Sequence, residues 1–388
     1  MTDTSRTDSL FYLVAGEASG DKHAAELLRE LKKSYPRSSF AGVGGRHLKA
    51  AGQDQLFDLA EHAVVGLTDV VFNYFKFRRF FRQVLADMKL KRPEVLILVD
   101  FPGFNLRLLE KVKVELPATK VVYYISPQVW AWKENRAFAM AKKIDLLLTI
   151  IPFEQKWFAE KTPSFNVRFV GHPILDRWDP LNTVTPLEKL PKTVLLLPGS
   201  RRKEISVHLP LFLETVRDLS CYFSGYTFSI LAADQASENL IRQLISRNGA
   251  ENLNIQIHSG YQLTHLSRAR LALVASGTAT LECALAGIPM LVVYRTSPLT
   301  FFIGRRLVKL EFLSIVNLIA GKKIVPEFLQ SKAKPEMLFA AAKVLLESKE
   351  ASNTMRRNLR AVVDQLGSQG ANKQAVTEIR KYLDPFGI

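Results

Sequence analysis

Short apolar runs recur along the chain, and each is followed by a turn of small or polar residues. In the first half they predict buried strands at residues 10–15, 38–45, 94–100, 120–125, 146–151 and 167–171. After the first run, Ala24, Leu27, Leu28 and Leu31 mark one face of a helix at the i, i+3, i+4, i+7 spacing. A strand, a helix and a second strand in this order form the unit of a parallel sheet.

The second half restarts the same pattern. Its predicted strands are residues 194–198, 228–233, 255–258, 271–275 and 290–294, with helical stretches between them. Prolines 173, 180, 186 and 191 interrupt the polar stretch between the halves, so it is the best candidate for a linker. We expect an N-terminal domain over residues 1–175, a C-terminal domain over 190–365, and a helical tail over 366–388 that packs back on the N-terminal domain.

A turn of small residues, Ser276-Gly277-Thr278, joins the predicted strand at 271–275 to a short helix. Backbone N–H groups at the start of a helix are free, and with the positive end of the helix dipole they suit a phosphate. Glu282, one turn further on, has a carboxylate that can accept hydrogen bonds from two sugar hydroxyls. An ordinary strand–helix corner explains this stretch slightly better on its own, because it matches neither the GxGxxG nor the P-loop pattern.

The loop Pro198-Gly-Ser-Arg-Arg-Lys-Glu204 follows the first strand of the second half. Gly199 lets the backbone approach a ligand, Ser200 offers a hydroxyl, and Arg201 can bind a phosphate through two hydrogen bonds. If both strands belong to one parallel sheet, this loop and the Ser276 turn face the same side. Two such loops at one edge of a sheet favour an anion site more than either does alone.

An acid ends the apolar strand at 94–100. Ligands of open parallel sheets bind beyond the carboxyl ends of the strands, so Asp100 is well placed for chemistry, although it could instead cap the next helix. The turn Gly16-Glu-Ala-Ser-Gly-Asp21 either brings the backbone close to a ligand or is an ordinary tight turn. Trp130 and Trp132 either wall a sugar or acyl pocket or pack in the core, and packing is the commoner role.

Aromatic and basic residues alternate densely near residues 64–82. The aromatic ones are Phe72, Tyr74, Phe75, Phe77, Phe80 and Phe81, and the basic ones are Lys76, Arg78, Arg79 and Arg82. An anionic membrane surface suits such a segment. A core helix with basic side chains at its solvent edge explains it equally well. Binding of a nucleic acid, with rings stacked on bases, ranks below both.

The composition of the chain bears on its class, its cellular location and its binding partners. The 388 residues exceed one compact core, and 47% hydrophobic with 23% charged residues is typical of a soluble globular protein. We expect a cytoplasmic location, because no apolar run reaches about 18 residues and the polar N-terminus lacks a signal core. Cys221 and Cys283 are expected to be reduced packing residues. The net charge of +16 suits nucleic acid, anionic lipid or phosphorylated substrates.

Seven motifs in order together resemble one family, that of lipid A disaccharide synthase. They are Gly16-Glu-Ala-Ser-Gly-Asp21, Asp100-Phe-Pro-Gly-Phe-Asn105, Ser126-Pro-Gln-Val-Trp-Ala-Trp132, Phe169-Val-Gly-His-Pro173, Leu197-Pro-Gly-Ser-Arg201, Ala275-Ser-Gly-Thr-Ala-Thr-Leu-Glu282 and Asn317-Leu-Ile-Ala-Gly321. The resemblance implies the glycosyltransferase B fold, with two doubly wound Rossmann-like α/β domains and a cleft between them. Gly103 departs from it, since many relatives carry an acid there, and so does Ala24, where a glycine is frequent.

The resemblance also implies a reaction. The enzyme would transfer 2,3-diacylglucosamine from UDP-2,3-diacylglucosamine to the 6-hydroxyl of 2,3-diacylglucosamine 1-phosphate (lipid X), with inversion and without a metal or another cofactor. Asp100 would be the general base, and Arg201 with the Ser276 turn would offset charge on the departing UDP. Glu282 would hold the ribose. Asn317, which matches a position important for activity in the family, would be among the nucleotide-binding residues.

Further implications concern the acceptor, the membrane and the oligomer. Glu17, Ser19, Gly20 and Asp21 would line the acceptor side of the cleft. The segment near 64–82 would dock on the inner face of the inner membrane, and relatives can form homodimers. The rival enzyme is a B-fold transferase or epimerase that acts on non-acylated UDP-N-acetylglucosamine. The rival without catalysis is a basic nucleotide- or RNA-binding protein, although no recognisable RNA-binding motif is present.

Overall fold

The computed structural model describes residues 9–59, 70–178, 185–260, 263–297, 301 and 310–384. The chain divides into two units. Unit 1 comprises Met1–Asp176 and Gly367–Ile388, and unit 2 comprises Arg177–Leu366.

In the described part of unit 1, seven parallel strands form one sheet in the order β3-β2-β1-β4-β5-β6-β7. The strands are β1 Leu10–Ala15, β2 Ser39–Gly44, β3 Asp54–Asp58, β4 Val95–Val99, β5 Lys120–Tyr124, β6 Leu146–Thr149 and β7 Val167–Phe169. All five residues of β4 are buried, as expected for a parallel strand covered on both faces. The direction of strand progression reverses between β1 and β4, which makes their carboxyl ends a topological switch point.

Helices connect these strands and cover the sheet. They are α1 Ala18–Ser34, α2 Arg46–Ala50, α3 Val70–Lys91, α4 Pro102–Glu115, α5 Arg136–Ala141 and α6 Glu154–Lys161. The stripe of Ala24, Leu27, Leu28 and Leu31 predicted from the sequence is fully buried on α1. None of the described helices is both long and apolar enough to span a membrane.

Unit 2 repeats the architecture with six described parallel strands in the order β10-β9-β8-β11-β12-β13. The strands are β8 Thr193–Leu197, β9 Thr227–Ala232, β10 Ile255–Ser259, β11 Leu271–Ala275, β12 Met290–Tyr294 and β13 Glu327–Leu329. The helices are α7 Arg202–Tyr222, α8 Gln235–Arg247, α9 Leu263–Leu266, α10 Ala279–Leu285, α11 Ile315–Ala320, α12 Pro335–Glu347 and α13 Lys349–Val363. Its switch point lies between the neighbouring strands β8 and β11.

The last helix, α14 Ala371–Leu383, belongs to unit 1 and packs against α1. The Tyr124 hydroxyl of β5 donates a hydrogen bond to Asn372 Oδ1 at 3.0 Å. Arg168 of β7 lies 3.6 Å from the Glu378 carboxylate. Unit 1 is therefore assembled from two separate segments of the chain.

The chain leaves and re-enters unit 1 at neighbouring positions. The Gln369 side chain donates to the Leu175 carbonyl at 3.0 Å, and the Gly370 N–H donates to the Asp176 carboxylate. Gly367 has φ +92°, and a Cβ there would lie 3.1 Å from the Gly171 Cα. Only glycine combines that backbone conformation with so close an approach.

Two predicted membrane contacts on α3, Phe80 and Phe81, pack against the core of unit 1. The Phe80 ring packs on Phe57 with centroids 4.9 Å apart, and the Phe81 ring meets Phe104 at 5.7 Å. Both are partly buried against the core of unit 1, which favours the alternative of a core helix for these two rings. Arg78, Arg79 and Arg82 are exposed. Residues 64–69 and the side chains of 70–77, which include Phe72, Phe75 and Phe77, lie outside the described residues.

The two tryptophans of the loop after β5 have different environments. Trp130 is 7% exposed, and its indole N–H donates to Glu154 Oε1 at 2.9 Å. Burial raises the pKa of Glu154 to about 8, although hydrogen bonds from Trp130 and from the Ile151 backbone act in the opposite direction. Trp132 is 39% exposed, with the Lys133 ammonium 4.4 Å from its ring centre. Trp130 therefore packs in the core, and Trp132 faces the surface.

Gly42→Ala should destabilise unit 1, because a Cβ would lie 2.0 Å from the Leu13 carbonyl oxygen of β1 at φ +146°. We expect the free energy of unfolding to fall by about 3 kcal/mol. Urea denaturation followed by tryptophan fluorescence measures it, since Trp130 and Trp157 lie in this unit. The control Gly103→Ala adds a Cβ with nothing within 4 Å and should change stability by less than about 1 kcal/mol. Equal stability of the two variants would contradict the close approach of β1 and β2.

The buried Glu154 should make stability fall as pH rises. Its pKa is about 8 in the folded protein against an ordinary 4.5, so unfolding releases a proton between these values. Relative to Glu154→Gln, which keeps an acceptor for Trp130 but does not titrate, the wild type should lose about 3 kcal/mol between pH 5 and 8. Parallel pH curves for the two proteins in urea denaturation would show that Glu154 is ionised in the fold.

Candidate functional site

The backbone at the end of β4 is held in an unusual conformation. Asp100 and Phe101 both have φ +48°, in the left-handed region that non-glycine residues seldom adopt. The Asp100 carbonyl accepts hydrogen bonds from the Asn105 amide at 2.7 Å and from the Tyr123 hydroxyl at 2.6 Å. Its N–H donates to the Tyr124 carbonyl at 3.0 Å. These contacts offset a strain of about 1–3 kcal/mol per residue and fix the half-buried Asp100 at the switch point.

The Tyr123 hydroxyl that holds this turn stays protonated. Burial raises its pKa well above the ordinary value, and the charge of Asp100 raises it further. The phenol is therefore a dependable donor to the Asp100 carbonyl at neutral pH. Asn105 lies in one of the family motifs but was not predicted to have a role, and Tyr123 was not predicted to belong to the site. Asn105 could have been suspected, because an Asn shortly after a strand end commonly hydrogen-bonds local backbone.

The turn after β1 packs directly against Asp100 and Phe101. A Cβ on Gly16 would lie 2.1 Å from the Phe101 ring, so only glycine leaves room for that ring. A Cβ on Gly20 would lie 3.8 Å from the Asp100 Cβ. Glu17 is half-buried and Ser19 is exposed on the same turn. The structure thus brings Glu17, Ser19 and Gly20 together with Asp100, at the carboxyl edge of the sheet.

Asp21 has a different role from the one expected. It is 1% exposed, and its carboxylate accepts hydrogen bonds from the backbone N–H groups of Gly45, His47 and Leu48 at 2.7–3.1 Å. It therefore caps the start of α2. Its assignment to the acceptor side was wrong, because its oxygens already bind this backbone. The partners lie more than twenty residues further along the chain, so local sequence gives no signal of the cap.

In unit 2, the carboxylate of Glu204 at the start of α7 packs against the loop after β8. Gly199 has φ +114°, and a Cβ there would lie 2.5 Å from Glu204 Oε2. The backbone N–H groups of Ser200 and Arg201 donate to the same oxygen at 3.1 and 3.3 Å. The exposed Arg201 guanidinium lies 3.5 Å from Glu204 Oε1. Glu204 was missed, although a Glu three residues after a helix N-cap is a recognised capping signal.

The Ser276 turn lies beside this loop. Leu197 of β8 pairs with Val274 of β11 in parallel register, so the condition that both strands belong to one parallel sheet is met. The Ser276 hydroxyl donates to the Leu313 carbonyl at 3.3 Å. Gly277 and Thr278 are exposed, and Glu282 is half-buried. The arrangement leaves polar backbone and side chains of two adjacent strand ends on one edge.

Asn317 is a structural residue. It is fully buried, and its amide donates to the Val325 carbonyl at 3.0 Å and to Glu327 at 2.8 Å. Its oxygen accepts from the N–H groups of Ile324 and Val325. A direct nucleotide contact was the wrong assignment, because this side chain is fully used within the fold. Glu327 in turn accepts from the Leu313 and Ser314 N–H groups, which connects the network to the partner of Ser276.

Each unit therefore has one polar cluster at the carboxyl edge of its sheet, at the switch point. The cluster in unit 1 has Asp100 with the glycine-rich turn after β1. The cluster in unit 2 has residues 199–201, the Ser276 turn and Glu282. A carboxylate fixed by a strained turn suits proton transfer, and an arginine beside exposed turns suits an anionic ligand.

Comparison of the sequence with known proteins identifies the family of the chain. The sequence profile described as Lipid-A-disaccharide synthetase matches residues 11–379. The chain is also 39% identical over 325 residues to Lipid-A-disaccharide synthase 1 of Legionella pneumophila (strain Lens), covering 82% of this chain and 83% of the relative.

Solved structures share the fold at low sequence identity. S. aureus MnaA, in a structure with UDP, has a TM-score of 0.65 at 13% identity, covering 97% of both chains. The glycotransferase of kitacinnamycin has a TM-score of 0.64 at 15% identity, covering 97% of this chain and all of the other. The predicted class of two parallel-sheet α/β domains of the glycosyltransferase B type is confirmed. The chain therefore belongs to the lipid-A-disaccharide synthase family of glycosyltransferases.

Proposed function

We propose that the protein transfers 2,3-diacylglucosamine from UDP-2,3-diacylglucosamine to the 6-hydroxyl of lipid X. The products are a β-1′,6-linked disaccharide 1-phosphate and UDP. Family membership supports this reaction. The observation that carries the mechanism is the strained turn that fixes Asp100 at the switch point of unit 1. Strain of this kind is concentrated at functional sites.

Asp100 acts as the general base. Its carboxylate takes the proton from the acceptor 6-hydroxyl as that oxygen attacks the anomeric carbon. The bond from this carbon to the UDP oxygen breaks on the opposite face, so one displacement inverts the configuration. A single positioned base is enough for this step, and Asn105 and Tyr123 hold its backbone in place.

Unit 2 binds the donor. The Arg201 guanidinium and the turns after β8 and β11 offset the charge that develops on UDP as it departs. Glu282 accepts hydrogen bonds from the ribose hydroxyls. Glu204 keeps the Gly199 loop folded before the donor arrives, because it already satisfies the N–H groups of Ser200 and Arg201. Asn317 contributes indirectly, by holding the segment that contains the Leu313 carbonyl.

The protein also docks on the inner face of the inner membrane, where acylated substrates are held. The three arginines 78, 79 and 82 are exposed on α3, at positions that share one helical face. Their charge suits anionic headgroups. The rings of Phe80 and Phe81 anchor this part of α3 to the core.

Asp100→Asn should slow transfer by about 10²–10⁴-fold while UDP binds as before, because only the proton acceptor is lost. UDP release and mass spectrometry of the lipid product measure the rate, and calorimetry measures UDP affinity. The control Asp54→Asn changes a carboxylate that is 74% exposed in the same unit and should leave the rate unchanged. Near-normal turnover of the Asp100 variant would remove this residue from the mechanism.

The same assay distinguishes the proposed acylated donor from the donor of the rival enzyme, UDP-N-acetylglucosamine. Acylated and deacylated donors are offered to the wild-type enzyme under identical conditions. Comparable turnover of UDP-N-acetylglucosamine would favour the rival transferase or epimerase. Selective turnover of the acylated donor supports the proposed substrate.

Replacing Arg78, Arg79 and Arg82 together by Gln should weaken vesicle binding about 100-fold, since each cation near an anionic surface contributes about 1 kcal/mol. Sedimentation with phosphatidylglycerol vesicles measures it. The control variant replaces the exposed Lys49, Arg107 and Lys111 by Gln, which removes the same charge elsewhere in unit 1. Equal sedimentation of both variants would place the membrane contact outside this face of α3.

A further inference from the structure

A buried histidine joins two strand ends that are not neighbours in the sheet of unit 2. His208 lies on α7 and is 2% exposed. Its Nδ1 is 3.2 Å from the Pro198 carbonyl oxygen, which follows β8, and its Nε2 is 3.1 Å from the Arg295 backbone nitrogen, which follows β12. Strand β11 lies between β8 and β12. The imidazole therefore connects the segments that follow the two neighbours of β11, the strand that precedes Ser276.

The two contacts fix the protonation of this ring. A backbone N–H can only donate, so Nε2 must present a lone pair to Arg295. A carbonyl oxygen can only accept, so Nδ1 must carry the hydrogen that faces Pro198. Both bonds thus need the neutral Nδ1–H tautomer. A proton added at Nε2 would face the Arg295 N–H, and that bond would be lost.

The surroundings keep His208 neutral at pH 7. Burial lowers its pKa below the ordinary value. The Pro198 carbonyl and the carboxylate of Glu204 on its own helix act in the opposite direction, and the guanidinium of Arg295 adds to the lowering. The remaining close ring neighbour is Phe212, with centroids 6.3 Å apart. Two charged groups thus face the imidazole: Glu204 belongs to α7, and Arg295 belongs to the segment after β12.

Among the described residues, other side chains also hold the two segments that His208 contacts. Glu204 binds the N–H groups of Ser200 and Arg201. Gln330 binds Thr296 twice, accepting from its N–H at 2.9 Å and donating to its carbonyl at 3.1 Å. The His208 ring adds a direct side-chain link between the segment after β8 and Arg295.

We propose that His208 is a positioning residue of the donor site, and that its neutral ring holds the Gly199 loop and Arg295 at the separation that UDP binding requires. The inference rests on the proposed function, since it takes these strand ends as the diphosphate site. His208 does not touch the reacting atoms in this account. A residue that only fills the core would affect folding but would not change how UDP affinity depends on pH.

Two variants test the proposal. His208→Leu fills similar space and removes both hydrogen bonds, and His208→Gln keeps an amide near the Nε2 position but does not titrate. UDP is the probe, and calorimetry from pH 5 to 8 gives its dissociation constant. At pH 7.5, His208→Leu should bind UDP at least about 10-fold more weakly, and His208→Gln should stay within about 3-fold of wild type.

The pH profile provides the second measurement. Wild-type affinity should fall more steeply than that of His208→Gln as the pH is lowered toward 5, because a protonated ring cannot accept a hydrogen bond from the Arg295 N–H. Protonation of UDP itself affects both proteins equally and cancels in the ratio of their affinities. If His208→Leu fails to fold, as judged by thermal denaturation, the ratio alone decides the proposal.

Three outcomes overturn the assignment in distinguishable ways. Unchanged UDP affinity of a folded His208→Leu removes His208 from the donor site and leaves the proposed function intact. A flat ratio between wild type and His208→Gln shows that ring protonation does not matter. Absence of UDP binding by the wild type would reject the donor site and the proposed function together.

Discussion

A parallel strand that is buried on both faces can place polar side chains only where it ends, and this constraint determines where chemistry can occur in the molecule. In both units the central strands are apolar throughout, as Val95–Val99 and Leu271–Ala275 illustrate. At the switch point, the chain leaves the carboxyl ends of two neighbouring strands in opposite directions, which opens a crevice there. The candidate base, the arginine loop and the small-residue turn all lie at such ends. The sheets therefore account for the position of the polar cluster in each unit before any catalytic residue is named.

The elements could be predicted because apolar runs and helical stripes are local properties of the sequence. Asp100 could be selected because it directly follows such a run. Its backbone conformation could not, since that depends on the Tyr123 hydroxyl from a neighbouring strand. The expectation that the loops after β8 and β11 face the same side required both strands to lie in one parallel sheet, and the register of Leu197 and Val274 meets this condition.

The errors have a common physical cause, because several polar or aromatic residues that look functional in sequence satisfy the fold itself. Asp21 caps a helix more than twenty positions away, and Asn317 binds the backbone of a neighbouring turn. Phe80 belongs to a segment with too many aromatic residues for one core, yet its ring packs on Phe57. Tertiary contacts decide each case, and none is encoded within a short window. His208 is the reverse case, because its position with Ile205, Leu209 and Phe212 on one helical stripe marks it as buried.

The division of the polar groups between the units suits a reaction with two charged or polar substrates. Unit 1 offers the Asp100 carboxylate on a fixed backbone. Unit 2 offers the Arg201 guanidinium and exposed turns, and the segments around them are held by Glu204, Glu327 and Gln330. Negative side chains that stabilise a proposed anion-binding region are unexpected on charge alone. They fix the backbone conformation before a ligand arrives, which reduces the entropy that the loops lose on binding.

The return of the chain into unit 1 reverses the order in which the two units can be completed during synthesis. Unit 2 is one continuous segment, so all of it emerges from the ribosome before α14 does. Tyr124 is separated from its partner Asn372 by 248 positions. Until translation reaches that helix, one side of α1 and the hydroxyl of Tyr124 lack their final neighbours. The half of the protein that is made first is therefore finished last, and premature termination within the last helix would leave unit 1 incomplete.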